Sequence, residues 1–174
     1  MTMSWSHAVL YVRDQQNMID FYTQVLGFEV TDQGPLGRGD AEITFLSQDP
    51  NDHHQLAMIG GRQDEGPSNS VNHFAFRVGE LEEVTDLNQT LSGLADVKVS
   101  PMSHGNTLSI YFNDPEGNGI EVFWDTPWHV AQPQGKPWDI TLSKDESLRW
   151  VEETFSDESS FGPRDDYFSR RHLV

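Results

Sequence analysis

The chain has 174 residues, 36% of them apolar, with ten Phe and five Trp. That is enough for one domain with a sizeable core or for two small fused halves, and it excludes a disordered chain. A net charge of −17 opposes nucleic acid and anionic membrane surfaces, and the lack of cysteine removes disulfides and thiolate metal sites. Any metal would fall to His, Asp or Glu. No stretch approaches the ~20 apolar residues of a membrane span, and MTMSWSHAVLYV lacks the basic start and long apolar run of a signal peptide. A cytoplasmic protein is expected, with neither nucleic acid nor membrane as a partner.

Residues 5–12, WSHAVLYV, predict a strand. A helix follows from Asp14, which can cap it, to Gly27 just past its end, with Ile19, Tyr22, Val25 and Leu26 at helical spacing. Short strands fit residues 28–31, 41–46 and 54–59, between Gly/Pro and Asp/Asn turns. After the polar break GGRQDEGPSNS the order repeats. Residues 71–78, VNHFAFRV, read as a strand, and Val84, Leu87, Leu91 and Leu94 mark one face of a helix. Strands then fit residues 97–100, 107–112 and 119–124. The opening segments SHAVLYV and NHFAFRV match, each with His in second place, so the chain carries a weak internal repeat. The fold class is therefore α+β: two β-α-β-β-β modules, at about 5–60 and 70–125, forming a curled mixed sheet in a domain of residues 1–125. Residues 126–174 form a C-terminal extension, packed on the domain or a partner chain, with a helix near 144–155 capped by Ser143 and Glu146.

Side chains alternate along a strand. His7 shares a face with Val9 and Tyr11, and His73 shares one with Ala75 and Arg77. Glu121 lies opposite Ile120, Val122 and Trp124. All three thus point into the space that two curled half-sheets would enclose. Two imidazoles and one carboxylate there can form a facial triad with open positions, which suits Fe(II). Taken one at a time, each also reads as an ordinary residue: a hydrogen-bonded strand His, or a Glu facing solvent. A buried Glu121 needs a partner either way.

With these residues in place, the chain resembles the vicinal oxygen chelate superfamily over about residues 5–125. That group includes glyoxalase I, fosfomycin and bleomycin resistance proteins, and type I extradiol ring-cleaving dioxygenases. The stretch HGNTLSIYFNDPEGNGIEVFW is most similar to the extradiol enzymes: His104, then Ile110-Tyr111, then Asp114-Pro115-Glu116-Gly117, then Glu121. DHHQLAM, ahead of VNHFAF, supplies a second match through His54. The resemblance implies Fe(II), or Mn(II) or another divalent metal, on His7, His73 and Glu121. It implies His54 as general acid–base, Tyr111 as donor to a substrate oxygen and His104 bracing that oxygen. The substrates implied are a catechol and O₂, with the ring opened beside the diol. A homo-oligomer is expected, and Trp128, Trp138 and loops are expected to shape the pocket. Two alternatives remain: a glyoxalase- or fosfomycin-type metal enzyme, and a metal-free binding protein of the bleomycin-resistance kind. The glyoxalase type asks for a fourth ligand, for which residues 54–59 offer only Gln55 besides His54. His53 reads as an exposed loop residue, and His129 and His172 carry no assigned role.

Overall fold

The computed structural model describes residues 3–37, 41–67 and 70–171. His172 lies outside them. The chain divides into two units, Met1–Asn69 with Asp114–Asn118, and Ser70–Asn113 with Gly119–Val174.

In the first unit, Asp14 caps a helix as predicted: its side chain accepts from Asn17 N at 3.1 Å. The unit runs β1 (Ala8–Val12), α1 (Gln15–Gln24), β2 (Glu29–Pro35), β3 (Glu42–Ser47) and β4 (Leu56–Gly60). Its sheet has the order β1-β4-β3-β2, with β1 and β4 parallel and the other pairs antiparallel. Helix α1 buries Met18, Ile19, Phe21 and Tyr22. Val25 and Leu26, expected on that face, fall beyond the helix end and stay partly exposed. The other sheet face leaves Val9 and Tyr11 open, at 45% and 66% exposure.

Segment Asp114–Asn118 belongs to this unit. Glu116, buried, accepts from Arg13 N and from Asp14 N (2.9 Å) where the chain enters α1, which favours an anion there. Its other oxygen faces Arg13 Nε at 3.8 Å and Arg62 Nη1 at 3.7 Å. Asp114, pushed up by burial, accepts from Tyr22 Oη and from Asn118.

The second unit repeats the pattern: β5 (His73–Val78), α2 (Leu81–Ser92), β6 (Ser100–Ser103), β7 (Thr107–Asn113) and β8 (Gly119–Asp125). Again the first and last strands pair in parallel. The expected second strand of this unit moves from 97–100 to β6, because pairing runs Ser100 opposite Tyr111 through Ser103 opposite Leu108. Pro101 is tolerated there because the edge pairing to Lys136 and Pro137 reaches only Ser103 and Met102, so its missing N–H breaks no ladder on that side. Leu94, expected in the core, lies past α2 and is 38% exposed.

The extension packs on this second unit. It adds β9 (Trp128–His129), β10 (Lys136–Pro137), α3 (Lys144–Phe155), β11 (Gly162–Pro163) and α4 (Arg164–Arg171). Strand β10 joins the sheet edge, giving the order β10-β6-β7-β8-β5, while β9 pairs with β11. Helix α3 starts where Ser143 and Glu146 predict, in a reciprocal capping box. Val130, Trp138, Val151 and Phe155 are buried, and the Trp138 indole N–H donates to Ser109 O at 3.1 Å. The described residues are thus mixed α+β, as expected from the sequence, with four helices where it predicted three. No helix among the described residues is long and apolar enough to cross a membrane.

Candidate active site

Strand register in the second unit brings four of the sequence-predicted residues together. Tyr111 stands directly opposite Glu121, and Glu121 is level with Ala75, two residues along from His73. The three side chains therefore share one sheet face. His73 Nε2 lies 3.2 Å from Glu121 Oε2. His104, in the turn before β7, places Nε2 2.8 Å from Tyr111 Oη and 4.0 Å from Glu121 Oε1. The His73 and Tyr111 rings stand perpendicular, with centroids 5.5 Å apart.

Two glycines make this approach possible. A Cβ on Gly119 would come within 2.4 Å of Asn72 O and 3.2 Å of His73 Cβ, so β5 and β8 close up beside His73 only because that position is bare. Gly105 has φ +75°, and a Cβ there would meet Val130 Cγ1 at 2.5 Å. The turn that presents His104 therefore needs glycine twice over.

Hydrogen bonds fix the ring nitrogens. His73 Nδ1 faces Asn72 Oδ1 at 2.6 Å, and with that bond donated by the ring, neutral Nε2 carries a lone pair aimed at a carboxylate oxygen. Two lone pairs at 3.2 Å call for a proton or a cation between them. Donors each about 2.1 Å from a divalent metal and at right angles would stand about 3 Å apart, so this pair fits two ligands of a metal. Among the described residues no three His, Asp or Glu side chains gather into a cluster that could hold a metal. The 8%-exposed Glu121 here faces two imidazoles, His73 at 3.2 Å and His104 at 4.0 Å. His104 Nδ1 donates to Gln134 O, leaving Nε2 to accept from Tyr111. Burial, and then the hydrogen bond and charge of Glu121, push the Tyr111 hydroxyl well up, so it remains a donor at neutral pH.

The first unit holds the other two predicted residues. His7 precedes β1 instead of lying within the predicted strand, and His54 precedes β4 in the same way. Their rings are 4.3 Å apart, and His7 Nδ1 bonds Ser6 Oγ at 3.1 Å. Burial, then the neighbouring His7 and His53, push His54 below the usual histidine range, with Asp52 opposing. His54 is therefore a neutral proton acceptor at pH 7. Alternation does not separate His53 from His54, as a strand over 54–59 would require. Both stand ahead of β4, Nδ1 to Nδ1 at 2.9 Å, and both rings meet Phe45. Gln55 accepts from Gln48 N at 2.9 Å, so its side-chain oxygen is already engaged.

The sequence reading missed Asn72, Gln132 and Gln134, which orient the site. Asn72 could be suspected from its place next to His73. The glutamines are 28 and 30 residues from His104 and carry no local signal.

Comparison with known proteins gives three kinds of relative. The chain is 30% identical over 125 residues to biphenyl-2,3-diol 1,2-dioxygenase 2 of Rhodococcus globerulus, covering 70% of this chain and 62% of that one. It thus spans about three fifths of that dioxygenase. It is 27% identical over 130 residues to a probable lactoylglutathione lyase of Vibrio cholerae, covering 72% and 93%. Among solved structures, the fosfomycin resistance protein FosX of Listeria monocytogenes, complexed with Mn(II) and sulfate, shares the fold at a TM-score of 0.57 and 22% identity, covering 72% and 95%. The two parallel-closed β-α-β-β-β units have their match in a family model that spans residues 4–122, and by it the chain belongs to the Glyoxalase/Bleomycin resistance protein/Dioxygenase superfamily.

Proposed function

We propose that the protein is an Fe(II)-dependent extradiol dioxygenase that opens a catechol-type ring beside its vicinal diol. The observation that carries this reading is the His104–Tyr111 hydrogen bond standing on the same face as the His73–Glu121 donor pair. The 30% identity to a biphenyl-2,3-diol dioxygenase supports it.

His73 and Glu121, with His7, would hold the metal. One carboxylate and two imidazoles would leave a bound divalent ion with net positive charge, and iron held there would supply Lewis acidity toward the diol and redox chemistry toward O₂. The chain's own groups do the rest. Neutral His54 takes a proton from the diol and later returns it. Tyr111, kept protonated by burial, would swing its one O–H from His104 Nε2 to a substrate oxygen, and His104 would brace that same oxygen. The ring C–C bond beside the diol breaks, both atoms of O₂ enter the product, and no outside reductant is needed. A homo-oligomer belongs to the same proposal.

The test is iron analysis after anaerobic purification, followed by O₂ uptake with a panel of catechols. We expect about one iron per chain, a yellow ring-opened product, and loss of most iron in His7→Ala and Glu121→Ala. His54→Ala should keep its iron and lose ~10²- to 10⁴-fold in rate. An iron-loaded chain that consumes no O₂ with any catechol would sink the proposal.

A second reading, a lyase- or fosfomycin-type enzyme using Mn(II) or another divalent metal, is favoured by one observation: the chain covers 93% of the Vibrio lyase but only 62% of the dioxygenase. Such an enzyme has no use for His104–Tyr111, so Tyr111→Phe would leave its rate nearly unchanged.

A further inference from the structure

The sheet face that carries His73, Tyr111 and Glu121 continues beyond them. Register sets Arg77 level with Phe123, and Thr107 level with Asp125, all on that face. Over this end the C-terminal extension forms one wall of an open pocket of about 510 Å³, within the range of small-molecule sites. Its walls include Phe123, Trp128, Tyr167 and Phe168, and its charged groups are Arg77, Asp125, His129 and Arg164.

Asp125 sits between the two arginines. Its Oδ2 is 2.9 Å from Arg77 Nε, and its Oδ1 is 2.8 Å from Arg164 Nη1. Among the described residues it is the carboxylate that either guanidinium pairs with. Arg77 lies over the Phe123 ring at 5.3 Å and Arg164 over the Phe168 ring at 5.0 Å. Each guanidinium has five N–H donors, so both forks are held in place with donors to spare. Burial, and then Arg164, keep His129 below its usual range, so it adds no charge at neutral pH. Two cations against one anion leave the cavity with a single positive charge, in a chain whose net charge is −17.

We infer that this cavity binds the carboxylate tail of the substrate, whose ring lies at His73 and Glu121. The inference rests on the proposed dioxygenase reading and names its substrate class: a catechol with a short acidic side chain. A monoanion neutralises the cavity, whereas a phosphate dianion would overshoot. A carboxylate also matches the planar donors of a guanidinium. From Glu121 to Phe123 is about 7 Å along the strand, so a ring with a two- or three-atom tail reaches Arg77. The aromatic walls suit the tail's apolar part.

Two measurements on the full chain test this separately from the reaction. The first is calorimetric binding of 3-phenylpropanoate against its uncharged amide, without metal. The acid should bind ~10- to 100-fold more tightly, as expected for charge-assisted hydrogen bonds, and Arg77→Met and Arg164→Met should each erase most of the difference. The Arg77 side chain is 63% exposed, so its replacement leaves the fold intact, and a cavity whose ion pairs only brace α4 would show no acid preference. The second is turnover by the iron-loaded chain of a catechol with a propanoate tail against the matching amide. The acid should win by ~10-fold or more through KM, with kcat little changed. Equal binding of acid and amide, or turnover of both without preference, overturns the inference while the dioxygenase reading stands. If no catechol is turned over, that reading fails and the cavity's link to a catechol falls with it, whatever the acid does.

Discussion

Gly105→Ala should disturb both stability and the site, because the glycine carries the turn that presents His104. The first cost is backbone. An L-residue held at φ +75° pays ~1–2 kcal/mol. The second is steric. The new Cβ would lie 2.5 Å from Val130 Cγ1, and Val130 is fully buried, so it cannot swing into solvent. Overpacking of this kind costs ~1–3 kcal/mol. The total is ~2–5 kcal/mol, or a fall of ~1–2 M in the urea midpoint at constant slope. Val130→Ala alone should cost ~2 kcal/mol by opening a small cavity. In the double variant the cavity accommodates the new methyl, so its loss should be at least ~1 kcal/mol smaller than the sum of the two. The backbone part remains, so the double variant stays less stable than Val130→Ala. A Gly105→Ala protein within ~0.5 kcal/mol of the parent, or strict additivity with Val130→Ala, would refute the reasoning.

Two further predictions concern the supports of the fold. Glu116→Ala removes the acceptor of two backbone N–H groups, while Arg62 keeps its ion pair with Asp64, for a loss of ~2–3 kcal/mol in chemical denaturation. Glu116→Gln keeps an oxygen for both N–H groups and should cost less than half as much; equal losses would show that charge alone matters. Ser143→Ala should cost ~1 kcal/mol by uncapping α3. The Ser143 hydrogen bonds hold Glu146 below the usual carboxylate range. Its contribution is therefore present above the unfolded carboxylate pKa and lost as pH falls through the lower folded value. The stability difference between parent and Ser143→Ala should accordingly shrink on acidification, and a constant difference from pH 7 down to pH 2 would contradict this.

Where sequence and structure agree, local chemistry decided the matter. Helix α3 begins at its capping box and α1 at Asp14, because a cap is written within four residues. The repeated β-α-β-β-β order was legible from periodicity, and the two openings, each with a His in second place, marked the repeat; the parallel pairs that close each unit were not legible, because they join strands far apart in the chain. The His73–Glu121 and His104–Tyr111 contacts followed from strand parity and family resemblance together. Illegible elements are those that long-range partners create. Strands β9, β10 and β11 are two residues each and exist through pairing alone. The sequence placed Glu116 in a turn motif without showing that it would hold the N-terminus of α1 from 102 residues away. Arg77 was visible as a facemate of His73, but its pairing with Asp125 needed the parallel register of β5 and β8.

The family match ends at residue 122, yet His104 is tied to what comes after it. Its Nδ1 donates to Gln134 O, and its own carbonyl accepts from Gln132 Nε2 at 2.8 Å. The His104–Tyr111 pair is thus positioned by chain that lies beyond the family match. Changes between residues 130 and 138 would therefore shift His104 without altering any residue of β7 or β8, and an engineer trimming the protein to its family core would cut away what holds His104 in place.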